Sequence, residues 1–387
     1  VDLDDVGRIR AENTTWRQQA GHRNGATGVG MIRVNGAYLP APVPDFAAQM
    51  PKSFFMPDSR TESSDPLDDY LDELFDGLVL GLRDYFEKVG AFERFLVAVS
   101  GGRDSALCLL IAVEAAKALR GGTEAGRYAE RVSTAYLPNR AISSSGTLEA
   151  SRELCEELGV PFQIVTIEEE AAVAGQKAAE LADGPERVTS LAKQNLQARV
   201  RGAMMLNWAN SAQGLVLVTS NLSEAAVGYS TTGGDNQGGY SPIANIPKTV
   251  VTRLLERLAV RYGLRSVAKI LAIPPSAELA PDQTDEADLM PYVVLDDLLF
   301  LYGRRRMTLA DCWRVLCCRH PEHDPEVLRR FTERFGRLFM NSQWKREQLP
   351  VTMKVMDLDL DPKTGFRFPV TQSIDHEIDS LRSARLD

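Results

Sequence analysis

Short apolar runs alternate with segments of helical periodicity through the first part of the chain. The runs are too apolar to leave one face in water, which is typical of strands in a parallel sheet that helices cover on both faces. We therefore predict an α/β fold with a doubly wound parallel sheet. The predicted strands are 95–99, 132–137, 162–167 and 215–219, and the helices after or between them are 105–119, 145–158, 168–182 and about 188–212.

A long amphipathic segment precedes the first predicted strand. Leucines recur there at helical spacing, Pro66 stands at the first helical position, and Gly90 follows the last periodic residue. These are signals of a helix over 66–90. Residues 1–64 carry scattered Gly, Pro and Ser instead. The predicted organisation is therefore a junction segment over 1–64, a main domain over 65–350 and a C-terminal tail over 351–387.

The first predicted strand runs into a turn that can cradle a phosphate. Ser100-Gly101-Gly102 is followed by Asp104-Ser105 and a helical segment. Glycines let the backbone lie close to an anion, and a helix that begins there directs unsatisfied N–H groups at it. A carboxylate beside a polyphosphate is repulsive unless a divalent cation lies between them, so Asp104 implies bound Mg²⁺. The turn differs from the Walker and Rossmann fingerprints and resembles the pyrophosphate loop of enzymes that split ATP between its α and β phosphates.

The composition limits the classes of binding partner and the cellular compartment that we expect for this protein. The 387 residues carry a formal net charge of −9, which disfavours nucleic acid as the main partner because such binding depends on Lys and Arg surfaces. No apolar stretch approaches the roughly 20 residues needed to cross a bilayer, so no membrane partner is predicted. Five cysteines without framework spacing are typical of reduced thiols. We expect a cytoplasmic protein.

Several polar motifs accompany the phosphate loop. One lies on the long predicted helix, and others follow the fourth strand, where a Gly-rich loop over about 225–247 has a length that usually marks function. Together and in this order they resemble NAD synthetase, over roughly residues 66–350. The motifs that carry the resemblance are 194–201, 219–224, 228–235, 246–249, 275–279 and 283–286.

The resemblance implies ATP-dependent amidation of deamido-NAD. In that family the nicotinate carboxylate attacks the α-phosphorus of ATP, which gives an adenylate and pyrophosphate, and ammonia then displaces AMP. Asp104 and Glu224 would be the metal ligands. Lys248 would neutralise phosphate charge, and Asp235 would orient or deprotonate the attacking ammonia. The resemblance thus implies four catalytic residues, Asp104, Glu224, Asp235 and Lys248.

The resemblance also implies two binding sets. Asn195 and Arg199 stand one helical turn apart, so both can reach one ligand. Lys345 follows Trp344, where many relatives have a His. The residues matched to ATP are Ala98, Val99, Ser100, Gly101, Gly102, Arg103, Asp104, Ser105, Thr219, Lys248 and Ser276. The residues matched to deamido-NAD are Asn195, Arg199, Glu224, Tyr229, Ser230, Thr231, Thr232 and Lys345.

The nitrogen source follows from the start of the chain, which resembles the junction after a nitrilase-like glutaminase domain in glutamine-dependent relatives. Such a glutaminase needs a cysteine nucleophile, and residues 1–64 contain no cysteine. We expect this chain alone to use ammonia, and a glutaminase domain to lie upstream in a longer product that accepts glutamine. The family's synthetase domains are commonly dimeric, which implies a homo-oligomer.

Two other functions stay open. One is an ATP pyrophosphatase that adenylates tRNA, which would favour a basic flank. The other is a non-catalytic nucleotide sensor, because a fold does not dictate an activity. Asp104, Glu224 and Lys248 argue for catalysis, and pyrophosphate exchange stimulated by deamido-NAD and not by tRNA would separate these functions.

Overall fold

A four-stranded parallel sheet forms the centre of the structure. The computed structural model describes residues 50–59, 65–119, 124–139, 142–276, 285–363, 365–366, 368 and 371–386. The sheet order within them is β3-β2-β1-β4, and each neighbouring pair is parallel. The strands are β1 (Arg94–Ala98), β2 (Val132–Tyr136), β3 (Phe162–Ile164) and β4 (Gly214–Leu217).

Helices fill most of the remaining described chain, and none among the described residues is long and apolar enough to span a membrane. A π-helical stretch, Leu299–Arg304, follows α10 directly. The helices are α1 (Pro66–Val89), α2 (Arg103–Ala118), α3 (Ser145–Leu158), α4 (Glu168–Leu181), α5 (Ser190–Ala212), α6 (Leu222–Val227), α7 (Lys248–Tyr262), α8 (Ser266–Ala272), α9 (Asp285–Asp288), α10 (Tyr292–Leu298), α11 (Leu309–Arg319), α12 (Pro325–Asn341), α13 (Gln343–Arg346) and α14 (Asp375–Ser383), with 3₁₀ turns at Glu124–Arg131 and Pro185–Arg187.

The predicted α/β alternation is confirmed. The predicted first helix begins and ends on its expected signals, because Asp65 accepts a hydrogen bond from the Leu67 N–H and Gly90 closes α1 at φ 64°. The third strand is shorter than predicted. It lies at the sheet edge, and irregular pairing continues beyond it, where Val165 N donates to the Tyr136 carbonyl oxygen (3.0 Å) and Ile167 N to that of Pro138 (3.1 Å).

Alternate residues of β1 serve two hydrophobic clusters on opposite faces of the sheet. Phe95 and Val97 pack with α1, α2 and α7 in the larger cluster. Leu96 packs with Met205 of α5 in a smaller one. Because successive side chains of a strand point to opposite faces, this burial pattern requires helices on both sides, as the predicted doubly wound fold does.

A third hydrophobic cluster is built from helices after the sheet. It joins α10, α11 and α12 to residues beyond 350, including Leu358, Phe366 and Ile378. Segment 50–59 also packs here, since the Phe54 ring stacks on Phe300 at 4.6 Å. The predicted C-terminal tail therefore supplies core side chains. Of the predicted junction, residues 1–49 and 60–64 lie outside the described residues.

The strand order fixes where a ligand can bind. The connection from β1 leads to β2 on one side, whereas β4 pairs with β1 on the other side. In sheets of this kind ligands bind beyond the carboxyl ends of the strands where the order reverses. The turn after β1 and the turn after β4 both lie at that place.

Candidate active site

The turn after β1 is held by its own hydroxyl groups and by one glycine. Ser105 Oγ accepts the Ser100 N–H (3.2 Å) and donates to the Gly102 carbonyl oxygen (3.0 Å). Gly101 has φ 78°, and a Cβ there would lie 2.5 Å from the backbone oxygen of Thr147. The helix begins at Arg103, two residues earlier than predicted. Its first turn therefore lies directly against the turn that was predicted to hold phosphate.

A cleft of about 260 Å³ opens above this turn, and Glu224, Tyr229 and Asp235 also line it. Arg103 lines it too, but its guanidinium reaches α7 and α8, where it donates to Thr252 Oγ1 (3.2 Å) and to the Leu271 carbonyl oxygen (2.9 Å). Arg103 thus secures the turn against those helices. All of the residues predicted for ATP line this cleft: Ala98, Val99, Ser100, Gly101, Gly102, Arg103, Asp104, Ser105, Thr219, Lys248 and Ser276.

Lys248 connects the predicted acids at the floor of the cleft. Its side chain is buried, and its ammonium ion-pairs with Asp104 Oδ2 and with Glu224 Oε1, the latter at 3.3 Å. The other oxygen of Asp104 accepts a hydrogen bond from Asn221 Nδ2 (3.0 Å). Asn221 also forms a capping box with Glu224 at the start of α6. The three predicted side chains therefore meet although up to 144 residues separate them in sequence.

Burial and nearby charges set the protonation of Glu224 and Lys248. Burial raises the pKa of Glu224 to about 8, against the opposing charge of Lys248 and with help from that of Asp104. Burial alone would lower the pKa of Lys248, but the charges of Asp104 and Glu224 outweigh it and raise that pKa. Lys248 is therefore a fixed positive charge, whereas an added cation would lower the raised pKa of Glu224.

Two neighbours of Lys248 were not assigned a role from the sequence. Asp285 is buried and lines the cleft; burial raises its pKa against the opposing charge of Lys248. Tyr292 donates to Asp285 Oδ2 (3.0 Å), and the Lys248 ammonium lies 5.2 Å from its ring centroid. Asp285 falls within the motif 283–286, but nothing local marks it as a partner of a lysine earlier in the chain.

The donor set suits a cation that is completed by a ligand. Asp104 and Glu224 present carboxylate oxygens to one positive group. Among the described residues, no group of three or more His, Cys, Asp or Glu side chains could hold a metal ion by itself. Mg²⁺ is usually held by one or two carboxylates together with substrate phosphates, so two acids beside a phosphate turn fit that arrangement.

A second group of predicted residues lies where α5 meets the Gly-rich loop. Thr231 Oγ1 donates to Asn195 Oδ1 (2.7 Å), and Arg199 Nε donates to the Thr232 carbonyl oxygen (3.1 Å). Ser230 Oγ accepts a hydrogen bond from an amide side chain of the same loop (2.9 Å). These residues contact one another, and they do not belong to the residues that line the cleft.

Lys345 and Tyr229 fix the two ends of this group. Lys345 Nζ donates to the carbonyl oxygens of Gly228 and Ser230, both at 2.7 Å, and burial lowers its pKa. The Tyr229 hydroxyl donates to Asp288 Oδ2 (2.8 Å). Tyr229 lines the cleft as well, so it links the two predicted binding sets.

Asp235 lies between the two sets. It lines the cleft, and its Oδ1 accepts the Thr231 N–H at 2.6 Å. Solvent in the cleft reaches the residue, yet the surrounding protein excludes part of the water from its carboxylate and raises its pKa. A carboxylate with a raised pKa is a stronger base, which suits the predicted role.

The glycines of the loop allow close packing. A Cβ on Gly234 would lie 2.9 Å from Ala198 backbone, and one on Gly238 would lie 2.8 Å from the Val216 carbonyl oxygen. Neither position could therefore carry a side chain unless a neighbouring backbone moved. The two glycines let the loop lie directly on α5 and β4.

Comparison with known proteins places the chain in a family. A family model described as NAD synthase matches residues 74–347. A protein from Aquifex aeolicus named glutamine-dependent NAD(+) synthetase is 31% identical over 378 residues, which cover 96% of this chain and 57% of that protein. One of the same name from Synechocystis is 35% identical over 303 residues, with 78% and 49% covered. The chain thus spans about half the length of these curated relatives.

Solved structures give a similar result. A glutamine-dependent NAD(+) synthetase from Cytophaga hutchinsonii matches with a TM-score of 0.70 at 25% identity, over 80% of this chain and 56% of that one. An NMN synthetase from Francisella tularensis matches with a TM-score of 0.50 at 25% identity, over 65% and 93%. The family model covers well over half of the chain and includes the phosphate turn, Glu224 and Lys248. This chain belongs to the NAD synthase family.

Proposed function

We propose that this chain catalyses the ATP-dependent amidation of deamido-NAD to NAD, with release of AMP and pyrophosphate. One observation carries the proposal: Asp104 of the phosphate turn, Glu224 and Lys248 meet at the floor of one cleft. A phosphate turn alone would suit many nucleotide-binding proteins. Two acids and a buried lysine beside it suit an enzyme that must control the charge of a departing pyrophosphate.

In the first step, ATP binds along the turn, and the nicotinate carboxylate attacks its α-phosphorus. A P–O bond to the carboxylate forms, and the bond to pyrophosphate breaks. Lys248 supplies positive charge where the phosphates carry negative charge. Asp104 and Glu224 would hold Mg²⁺, which supplies charge neutralisation between these acids and the phosphates when it is bound.

In the second step, ammonia attacks the carbonyl carbon of the adenylate, AMP leaves, and one proton is released. Asp235 would orient ammonia and accept this proton, which its raised pKa favours. Asn195, Arg199 and the segment 229–232 would bind the dinucleotide from the side of α5. Lys345 would act there by holding the carbonyl oxygens of Gly228 and Ser230 in place.

We further propose that ammonia is the nitrogen donor that reaches this chain. The relatives are named glutamine-dependent, and their extra length would include a glutaminase domain upstream of the matched region. Within the predicted organisation, residues 1–64 form the junction to that domain, and the described tail beyond 350 completes the core of the synthetase domain. A cytoplasmic homo-oligomer remains the form we expect.

The experiment supplies the purified chain with Mg²⁺-ATP, ammonium and one acceptor at a time. We expect NAD, AMP and pyrophosphate in equal amounts with deamido-NAD, and no NAD when glutamine replaces ammonium. A parallel reaction with nicotinate mononucleotide as the acceptor tests for NMN synthetase activity, which the name of the Francisella protein states. Faster amidation of the mononucleotide, pyrophosphate exchange stimulated by tRNA, or nucleotide binding without turnover would each contradict the proposal.

A further inference from the structure

A buried carboxylate outside the cleft connects the two helices that carry Glu224 and Lys248. Asp296 lies on α10 and is 2% exposed. Its Oδ1 accepts a hydrogen bond from Ser223 Oγ on α6. Its Oδ2 accepts two from Thr249 on α7, from the backbone N–H (2.9 Å) and from Oγ1 (2.6 Å). One side chain therefore holds α6 and α7 together.

The same side chain completes the start of α7. A helix leaves its first N–H groups without partners inside the helix, and Pro247, the residue before α7, offers no side-chain cap. Lys248 N donates to Ser223 Oγ instead (2.8 Å), and Thr249 N donates to Asp296. A chain of hydrogen bonds thus runs from the Lys248 backbone through Ser223 to Asp296.

These contacts fix the backbone at both catalytic side chains. Ser223 directly precedes Glu224, and Thr249 directly follows Lys248. The ion pair between Glu224 and Lys248 spans 3.3 Å, so a small shift of α6 against α7 changes it. A misplacement of about 1 Å in a catalytic group can cost about 10²-fold in rate.

We propose that Asp296 is a positioning residue that sets the register of Glu224 against Lys248. It acts through Ser223 and Thr249 and lies outside the cleft lining. The inference deepens the proposed function and rests on it. Its effect should therefore fall on turnover more than on the binding of ATP.

A neighbouring residue offers a matched control. Asp297 is buried as well, but it pairs with Arg319 of α11 at 2.6 Å and with His320 at 2.9 Å. Asp297→Asn removes a buried charge of the same kind from the next position of the same helix. Any general loss of stability should be at least as large in Asp297→Asn as in Asp296→Asn.

The test measures kcat, KM for ATP and thermal unfolding of the full chain. We expect Asp296→Asn to lower kcat by about 10²-fold while KM for ATP changes less than about threefold. Asp297→Asn should keep kcat within about threefold of the original chain. An equal loss of kcat in both variants at equal folded fraction would overturn the proposal.

Ser223→Ala gives a second and milder variant. If Ser223 and Asp296 act through one chain of hydrogen bonds, the double variant should lose no more activity than Asp296→Asn alone. Losses that multiply would contradict the proposal. If Asp296→Asn does not fold, Ser223→Ala decides the matter, and unchanged kcat in that variant would also overturn it.

A measurement without turnover separates this inference from the proposed function. Amide hydrogen exchange over the first turn of α7 should quicken in Asp296→Asn and in Ser223→Ala but not in Asp297→Asn. If the original chain makes no NAD, the proposed function fails, and the exchange result still reports the connection between α6 and α7. Unchanged exchange in all three variants would contradict that connection.

Discussion

Replacing Lys248 with methionine removes the positive charge at the floor of the cleft and keeps the length of the side chain. Lys248 is 3% exposed and ion-paired with Asp104 and Glu224. Removal of one partner from a buried ion pair costs about 3–5 kcal/mol of folding free energy. Protonation of an acid offsets part of this cost, so the loss should depend on pH.

The pKa of Glu224 determines whether this loss of stability grows or shrinks as pH rises. Burial already raises its pKa to about 8, and the charge of Lys248 opposes that rise. Without Lys248 the pKa rises further. A carboxyl group with a raised folded-state pKa contributes stability that is complete below its unfolded pKa and is lost as pH rises through the folded value. Lys248→Met should therefore lower the free energy of unfolding by about 3 kcal/mol at pH 6 and by about 5 kcal/mol at pH 9.

Urea unfolding of Lys248→Met at the two pH values tests this magnitude. Lys269→Met is the control, because Lys269 pairs with Glu153 at 2.5 Å on the surface with its side chain 56% exposed. The control should keep both stability and NAD formation, whereas Lys248→Met should lose at least about 10²-fold in kcat. A loss of stability that is the same at pH 6 and pH 9 would show that Lys248 does not control the pKa of Glu224.

Three further predictions concern the turn, the loop and a distant histidine. Gly101→Ala should abolish ATP-dependent turnover, because a Cβ would meet a backbone oxygen at 2.5 Å and φ is 78°. Gly175→Ala, where a Cβ meets nothing within 4 Å, should retain that turnover. Equal activity of the two variants would exclude a role of the turn in binding ATP. Asp235→Asn should slow NAD formation more than pyrophosphate release in single-turnover assays, and equal slowing would argue against a role with ammonia. Burial lowers the pKa of His320, but its carboxylate partners outweigh burial and raise that pKa above 6.5. The contribution of His320 to stability is therefore complete below pH 6.5 and is lost as pH rises through the folded value. His320→Gln should flatten the fall in the free energy of unfolding from pH 6 to pH 8, and a fall as steep as that of His323→Gln would contradict this prediction.

The sheet and the phosphate turn could be predicted because their signals are local. The apolar runs of β1 and β4 are bounded by residues that end strands, and Ser100 to Ser105 carry the whole turn. The resemblance to NAD synthetase had already assigned Glu224 and Lys248 to one site. In the structure the two side chains form an ion pair (3.3 Å), and Asn221 joins Glu224 to Asp104 at the start of α6.

The remaining parts depend on contacts that no local pattern shows. Asp285 and Asp296 look like ordinary acids of helical segments. The packing of α10 against α7 brings Asp296 beside Thr249, and Tyr292 of α10 donates a hydrogen bond to Asp285 of α9 near Lys248. The glycines of the loop do not show in the sequence what they approach, and in the structure Gly234 packs directly on α5. A sequence indicates that a residue can approach closely, but the partner it approaches is decided by the fold.

The proposed function requires that the residues around Lys248 form an adenylate from the nicotinate carboxylate. Deamido-NAD labelled with ¹⁸O in that carboxylate tests it most directly, because attack on the α-phosphorus makes one carboxylate oxygen a bridge to AMP. When ammonia displaces AMP, that oxygen leaves with it. Mass spectrometry should find one ¹⁸O in each AMP and one in each NAD. Label in inorganic phosphate or pyrophosphate, or AMP free of label while NAD forms, would contradict the account.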